Sequence, residues 1–371
     1  MSTDTALIEK REELKRRLAA GEYKTLVDVF LAWTNRVIQK ITRQSKPLPI
    51  WLITVILSIV FILIVFAAIY VAGELTAFRN NIERYGSSFL VLLSIGVFAI
   101  VSTIVINRYV GRIFKLWQAD ILDATESVAS LDEFEDWLEK TCNPRLQLRV
   151  IIIGGLFLDS YIMAISSINI GVFVGYGLTF AGIIPSMFGA AFFYLLLMVI
   201  LLSAKLRRYD LKLFAADPSS SELASRLSGE LSLFIYFVGV YAAVLTLLSA
   251  LSVSLSSAGI FLVLFYWLPI IAMFILNQTS LSSMIRRVKW KTLNEIQAKV
   301  EKLQAAENFA DKETMDAINR LMDYHDRVKA TRNSALDLST TLSFINSLLL
   351  PLLAFLLGNL DLVFKLFARQ P

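Results

Sequence analysis

Runs of apolar residues long enough to cross a bilayer, separated by segments that hold nearly all of the charge, constrain this chain more than any other feature. A helix needs about 20 predominantly apolar residues to cross the hydrocarbon core. Such runs lie at 50–72, 88–106, 150–169, 183–204, 231–255, 259–276 and 340–357. With 56% hydrophobic and only 18% charged residues and a mean hydropathy of +0.63, the chain is too apolar for an ordinary soluble domain. The expected fold is all-α, a polytopic membrane protein of about seven transmembrane helices.

The boundary between the third and fourth runs rests on glycine. Residues 150–204 are almost continuously apolar but are punctuated by Gly171, Gly175, Gly177, Gly182 and Pro185. At 1.5 Å per residue one helix of that length would be far too long for a single crossing, so two helices joined by a short hairpin near the membrane surface are expected.

Charge sets the expected orientation. All but four of the 36 Lys and Arg residues precede the first run or fall in the second, fourth and sixth loops; the exceptions are Arg79, Arg84, Lys365 and Arg369. The positive-inside rule then puts the amino terminus in the cytoplasm and the carboxyl terminus outside, in the cell (plasma) membrane. The first 49 residues are polar and too long for the charged region of a signal peptide, so the first span is expected to act as its own insertion signal. The organisation that follows is residues 1–49 as cytoplasmic or interfacial amphipathic helices, and 50–276 as a six-helix core with helical loops at 107–149 and 205–230. Residues 277–339 form a cytoplasmic helical hairpin or coiled-coil element, and 340–371 the last span and a short outer tail.

Within the charged segments, Leu26, Phe30, Trp33, Val37 and Ile41 recur at spacings of three and four, with Lys24, Arg36, Lys40 and Arg43 between them. That pattern suits a helix at the headgroup level or one packed on the protein's own cytoplasmic domain. The second span is expected to continue through Trp117 to about Val128, followed by a helix opened by a Ser130–Glu133 capping box. Its run Asp132, Glu133, Glu135, Asp136 and Glu139 lacks the glycine turn and alternating ligands of a calcium loop and is expected to be a solvated face. In the fourth loop Asp217-Pro218 breaks the chain, and Ser219 with Glu222 opens a helix running into the fifth span. In the sixth, stripes at Leu293, Ile296, Val300, Leu303 and at Ile318, Leu321, Met322, Val328 bury themselves within the chain or between subunits.

Chemistry is sparse. Cys142 and His325 are single, which removes intrachain disulfides and leaves no Cys/His metal site. No metal, no cofactor and no catalytic residue is expected. There is no Walker loop and no intramembrane Asp pair, and acids interleaved with the cations argue against nucleic acid. Inside the spans, Asp159 is the one deep acid, on a face with Gly155 and Ser166. It is either a coupling or selectivity group or a packing lock, with Tyr236, Tyr241 and Asn346 as candidate partners in the latter case, since intramembrane charge is costly. In the last span, Thr340, Ser343, Asn346 and Ser347 precede the apolar stretch holding Leu350 and Pro351. A hydroxyl and amide stripe followed by an apolar constriction suits a hydrated path with a gate, although such residues also glue helices together.

The arrangement of seven helices, amino terminus inside, with a long cytoplasmic helical element feeding the last span, resembles that of insect odorant and gustatory receptor channels. The likeness covers helix count and orientation over most of the chain. The Thr-Tyr and Gln-Phe signature of that family's last helix is absent here, and fold does not carry function with it. The expectations are a homo-oligomeric ion channel or channel-like receptor, a secondary transporter coupled through Asp159, or a scaffold recruiting a cytoplasmic protein through 277–339.

Overall fold

The computed structural model describes residues 3–43, 45–73, 75–170, 176–252, 257–306 and 312–334, together with Asn346. Ten α-helices account for nearly all of them: α1 Thr3–Ala19, α2 Leu26–Thr42, α3 Ile50–Val71, α4 Leu75–Ala124, α5 Val128–Thr141, α6 Pro144–Ile170, α7 Tyr176–Leu206, α8 Glu222–Ser252, α9 Ser257–Ala306 and α10 Lys312–Ala330. Among the described residues six helices are long and apolar enough to cross a membrane, α3, α4, α6, α7, α8 and α9. The seventh expected span, at 340–357, lies outside the described residues except for Asn346.

The bundle is organised around α7, which packs on α3, α4, α6 and α9. Its apolar window is 61% buried, against 22% for α3 and for α6. The two outer helices turn Val55, Ile59, Leu63, Phe66, Ile153 and Phe157 outward, as a surface solvated by acyl chains requires. At the centre Tyr241 of α8 stacks between Phe192 of α7, 4.0 Å away, and Phe98 of α4, 5.2 Å away.

Several helices are longer than a bilayer is thick. At 50 residues each, α4 and α9 extend about 75 Å. Exposed large apolar side chains begin at Trp51 on α3 and Leu146 on α6, whereas described α4 residues from Asn107 to Ala124 expose none. A level near Asn107 and Gln147 therefore divides an apolar belt from a charged layer built by the extended ends of α4, α7, α8 and α9 with α1, α2, α5 and α10. Buried polar bonds mark that level. Thr25 Oγ1 bonds Asn107 Oδ1 at 2.7 Å, Asn107 Nδ2 donates to Asp28 Oδ1 at 2.6 Å, and Leu26 N donates to Gln147 Oε1 at 2.6 Å.

The acidic run on α5 is exposed at Asp132, Asp136 and Glu139, as expected of a solvated face, and it also pairs with the cations of α1. Lys10 of α1 reaches Asp132 at 3.0 Å and Glu135 at 2.6 Å, and Arg17 pairs with Glu135 and, at 3.1 Å, with Glu139. The Glu135 hydrogen bond, then that of Asp132, pushes the Lys10 ammonium well above its usual range. Fully buried Leu14 lies between these cations and plugs α1 onto α4 and α5. Ser130 does not cap α5. Ser127 does so by accepting from Ser130 N, while buried Ser130 accepts from Asp210 N at 3.2 Å. That contact belongs to a clasp in which Glu126 N donates to Asp210 O and Lys212 N to Ala124 O, at 2.9 and 2.7 Å.

The break at Asp217-Pro218 opens a single turn, Pro218–Ser220, and α8 starts at Glu222. Between α6 and α7 only residues 171–175 fall outside the description; Gly177, Gly182 and Pro185 lie within α7 and end nothing. α9 runs unbroken across position 276, and α10 folds back on it through Leu293, Ile296, Leu321, Tyr324 and Val328. Buried Lys289 fastens the end of that hairpin, donating to Thr331 O at 2.7 Å and Asn333 Oδ1 at 3.0 Å.

Replacing Glu135 by Lys sets three like charges together where α1 docks. Limited proteolysis should then cleave within the first 20 residues at a rate at least tenfold above that of the parent chain, with the rest of the chain resistant.

Candidate functional site

The seam between α6 and α7 holds the one acid that is buried in the apolar belt among the described residues. Small residues let the two backbones approach: a Cβ added at Gly155 would lie 3.0 Å from Met187 Cα and 3.1 Å from Met187 N, and one at Gly154 would meet Ala190 Cβ at 3.2 Å. In hydrocarbon such close approach supplies the dispersion contacts that hold helices together. One turn beyond Gly155 on the same face sits Asp159, 5% exposed. Its carboxyl group lies beside buried Ser186 and packs on Gly182, where an added Cβ would fall 2.5 Å from Asp159 Oδ1 and 2.8 Å from Met163 Cε.

Asp159 thus faces other helices, on the face expected from Gly155, but among the described residues the neighbour of its carboxyl group is not Tyr236, Tyr241 or Asn346. It is Ser186, one turn past Gly182 on α7. The signal in the sequence was the small-residue series Gly182, Ser186, Gly189 and Ala190 at helical spacing, whose first member looks like a chain-breaker when read alone.

Asn277 was not singled out by the sequence reading, because it stands where an apolar run ends. It is 1% exposed in α9, and neither its Oδ1 nor its Nδ2 has a hydrogen-bond partner among the described residues. Thr103 makes the polar link between α4 and α7, its hydroxyl 2.8 Å from Phe188 O and 2.7 Å from Ala99 O.

Of the residues expected in the last span, Asn346 is exposed; Thr340, Ser343, Ser347, Leu350 and Pro351 lie outside the described residues. Cys142 is buried at the C-cap of α5, where burial foremost and then the charge of Asp28 push its thiol up to about 12. It is packed in the core as a small apolar group.

No family model, curated protein or solved structure matches this chain.

The seam makes a contrast measurable. Gly155→Ala meets backbone that no rotamer change can relieve and should cost about 1–3 kcal/mol. Gly111→Ala and Gly229→Ala have nothing within 4 Å and should be neutral or gain up to about 1 kcal/mol of helix propensity. Melting of the detergent-solubilised variants reads the difference.

Proposed function

We propose that this protein is a multi-pass membrane channel or channel-like receptor that works as a homo-oligomer, its amino terminus in the cytoplasm and its last span, 340–357, lining the path. The observation that carries the reading is the α9–α10 hairpin. It precedes the last span in sequence, and it leaves Trp290, Met315 and Met322 exposed beyond the apolar belt. Apolar side chains presented to water around a rigid, latched hairpin suit contacts between copies of the chain. Exposed Asn346 supports the path, because an amide in an otherwise apolar segment needs water or another polar group beside it. The architectural resemblance to insect odorant and gustatory receptor channels agrees, and in this reading the charged layer is a cytoplasmic collar around the axis.

The test is single-channel recording from the protein in planar bilayers. Asn346→Leu should lower unitary conductance severalfold or close the path while assembly is retained. Unchanged currents from an intact oligomer would remove the last span from the pore.

A second reading, a secondary transporter, draws on Asp159 beside Ser186 in the α6–α7 seam, since a buried intramembrane acid is suited to carrying a proton or coordinating a cation. In that case Asp159→Asn abolishes ion-coupled uptake into vesicles without lowering the melting temperature.

A further inference from the structure

The helix α2 has three faces and only one of them is accounted for by the fold. Val27, Leu31 and Thr34 are buried against the bundle, and Thr25 caps the helix through Asp28 N. At 100° per residue, Phe30, Trp33, Val37 and Ile41 fall on the neighbouring edge. Phe30 stacks on Trp33 at 6.2 Å and meets Phe188 of α7 edge-on at 5.8 Å. Farther along that edge Trp33 is 55% and Ile41 76% exposed. Arg36, Lys40 and Arg43 occupy the outer face and are all exposed, as is Lys46 in the loop that follows.

These cations differ from those of α1. Lys10, Lys15 and Arg17 each have carboxylate partners, from Glu12, Glu22, Asp123 and the acids of α5. Among the described residues no carboxylate lies within ion-pair distance of Arg36, Lys40, Arg43 or Lys46. The single acid of α2, Asp28, is held by Thr25 and Asn107 at the far end of the helix. Four unpaired cations next to an exposed indole leave the charge of this helix to be met from outside the chain.

Its depth is fixed independently. Leu48 N donates to Asn35 Oδ1 at 3.1 Å, which brings the linker back to the middle of α2 and starts α3 beside it. Trp51, in the first turn of α3, is 66% exposed, at the edge of the apolar belt. Trp33 and Trp51 thereby lie near the same level, where indoles collect in membrane proteins. The far end of α2 is tied to Asn107 and Gln147, the level that separates belt from charged layer.

We infer that α2 is a binding site for anionic phospholipid in the leaflet bordering the charged layer. The Trp33, Val37 and Ile41 edge sits in the boundary between headgroups and acyl chains, and Arg36, Lys40, Arg43 and Lys46 hold phosphate-bearing headgroups. The apolar edge adjoins the basic face, the geometry of an interfacial helix, and each cation near an anionic surface favours binding by about fivefold. This site is independent of whether the protein conducts.

Two readouts on the purified full chain test it, in nanodiscs of phosphatidylcholine and phosphatidylglycerol in equal parts. The first is a nitroxide attached to Ile41→Cys at neutral pH, where buried Cys142, its thiol pushed up to about 12, does not compete. Its relaxation should respond to oxygen more than to an aqueous nickel complex. The second is the phosphatidylglycerol that co-purifies on extraction: it should be enriched over phosphatidylcholine, on the order of a hundredfold less so in R36Q/K40Q/R43Q, and retained in the charge-preserving R36K/K40R/R43K. Several outcomes overturn the inference: a label open to nickel, a label shielded from both agents by a second copy or another protein, equal enrichment in the neutralised variant, or equal loss in the charge-preserving one.

Discussion

Hydrocarbon offers no hydrogen-bond partner to a peptide group and no solvation to a charge, and the rest of this structure depends on that refusal. Each crossing must close its own backbone bonds, which selects helices, and each ionisable side chain must leave the belt or be enclosed. The six apolar helices among the described residues meet both conditions. Most cations and acids of the described residues are gathered at one end, where extended helix ends give them a surface to pair on; Arg79, Glu83 and Arg84 stand at the other end of α4. Within the belt, Asp159 is enclosed between α6 and α7 with a serine beside it.

A bundle in lipid gains little from apolar burial between helices, because acyl chains solvate leucine as well as another leucine does. Its cohesion has to come from close packing and from the few polar bonds that cross between helices. That explains why α7, the most buried of the six, touches its neighbours through glycine, alanine and hydroxyl groups as well as large side chains. Gly155 admits the backbone of Met187, Thr103 reaches Phe188 O, and Gly182 leaves room for the Asp159 carboxyl group. The charged layer lies in water and is held differently, by fully buried Leu14, Phe134 and Leu227 under a rim of ion pairs.

Elements whose cause is local were legible in the sequence. Apolar runs marked the helices of the belt, the extensions of α4 and α8 followed from uninterrupted helical pattern, and Asp217-Pro218 marked a true break. Interactions whose cause is distant were not. The ion pairs of the α5 acids were hidden because the cations that meet them, Lys10 and Arg17, stand more than a hundred residues earlier. Ser130 resembles a cap because its partner, Asp210 N, belongs to another loop. Gly182 resembles a chain-breaker because the carboxyl group it makes room for is on a different helix. For the site, the orientation of Asp159 toward other helices was legible from Gly155; its partner was not. The double nature of α2, one face on the protein and one edge free, was present as two competing readings of one pattern, and both faces exist.

Imaging of single particles in nanodiscs tests the central functional claim most directly. A channel of this kind is a symmetric oligomer in which the last span of each copy surrounds a common axis with Asn346 turned toward it, and in which Trp290, Met315 and Met322 are covered between neighbouring copies. A monomer whose last span is sealed within its own bundle, with those three side chains left in water, would contradict that claim.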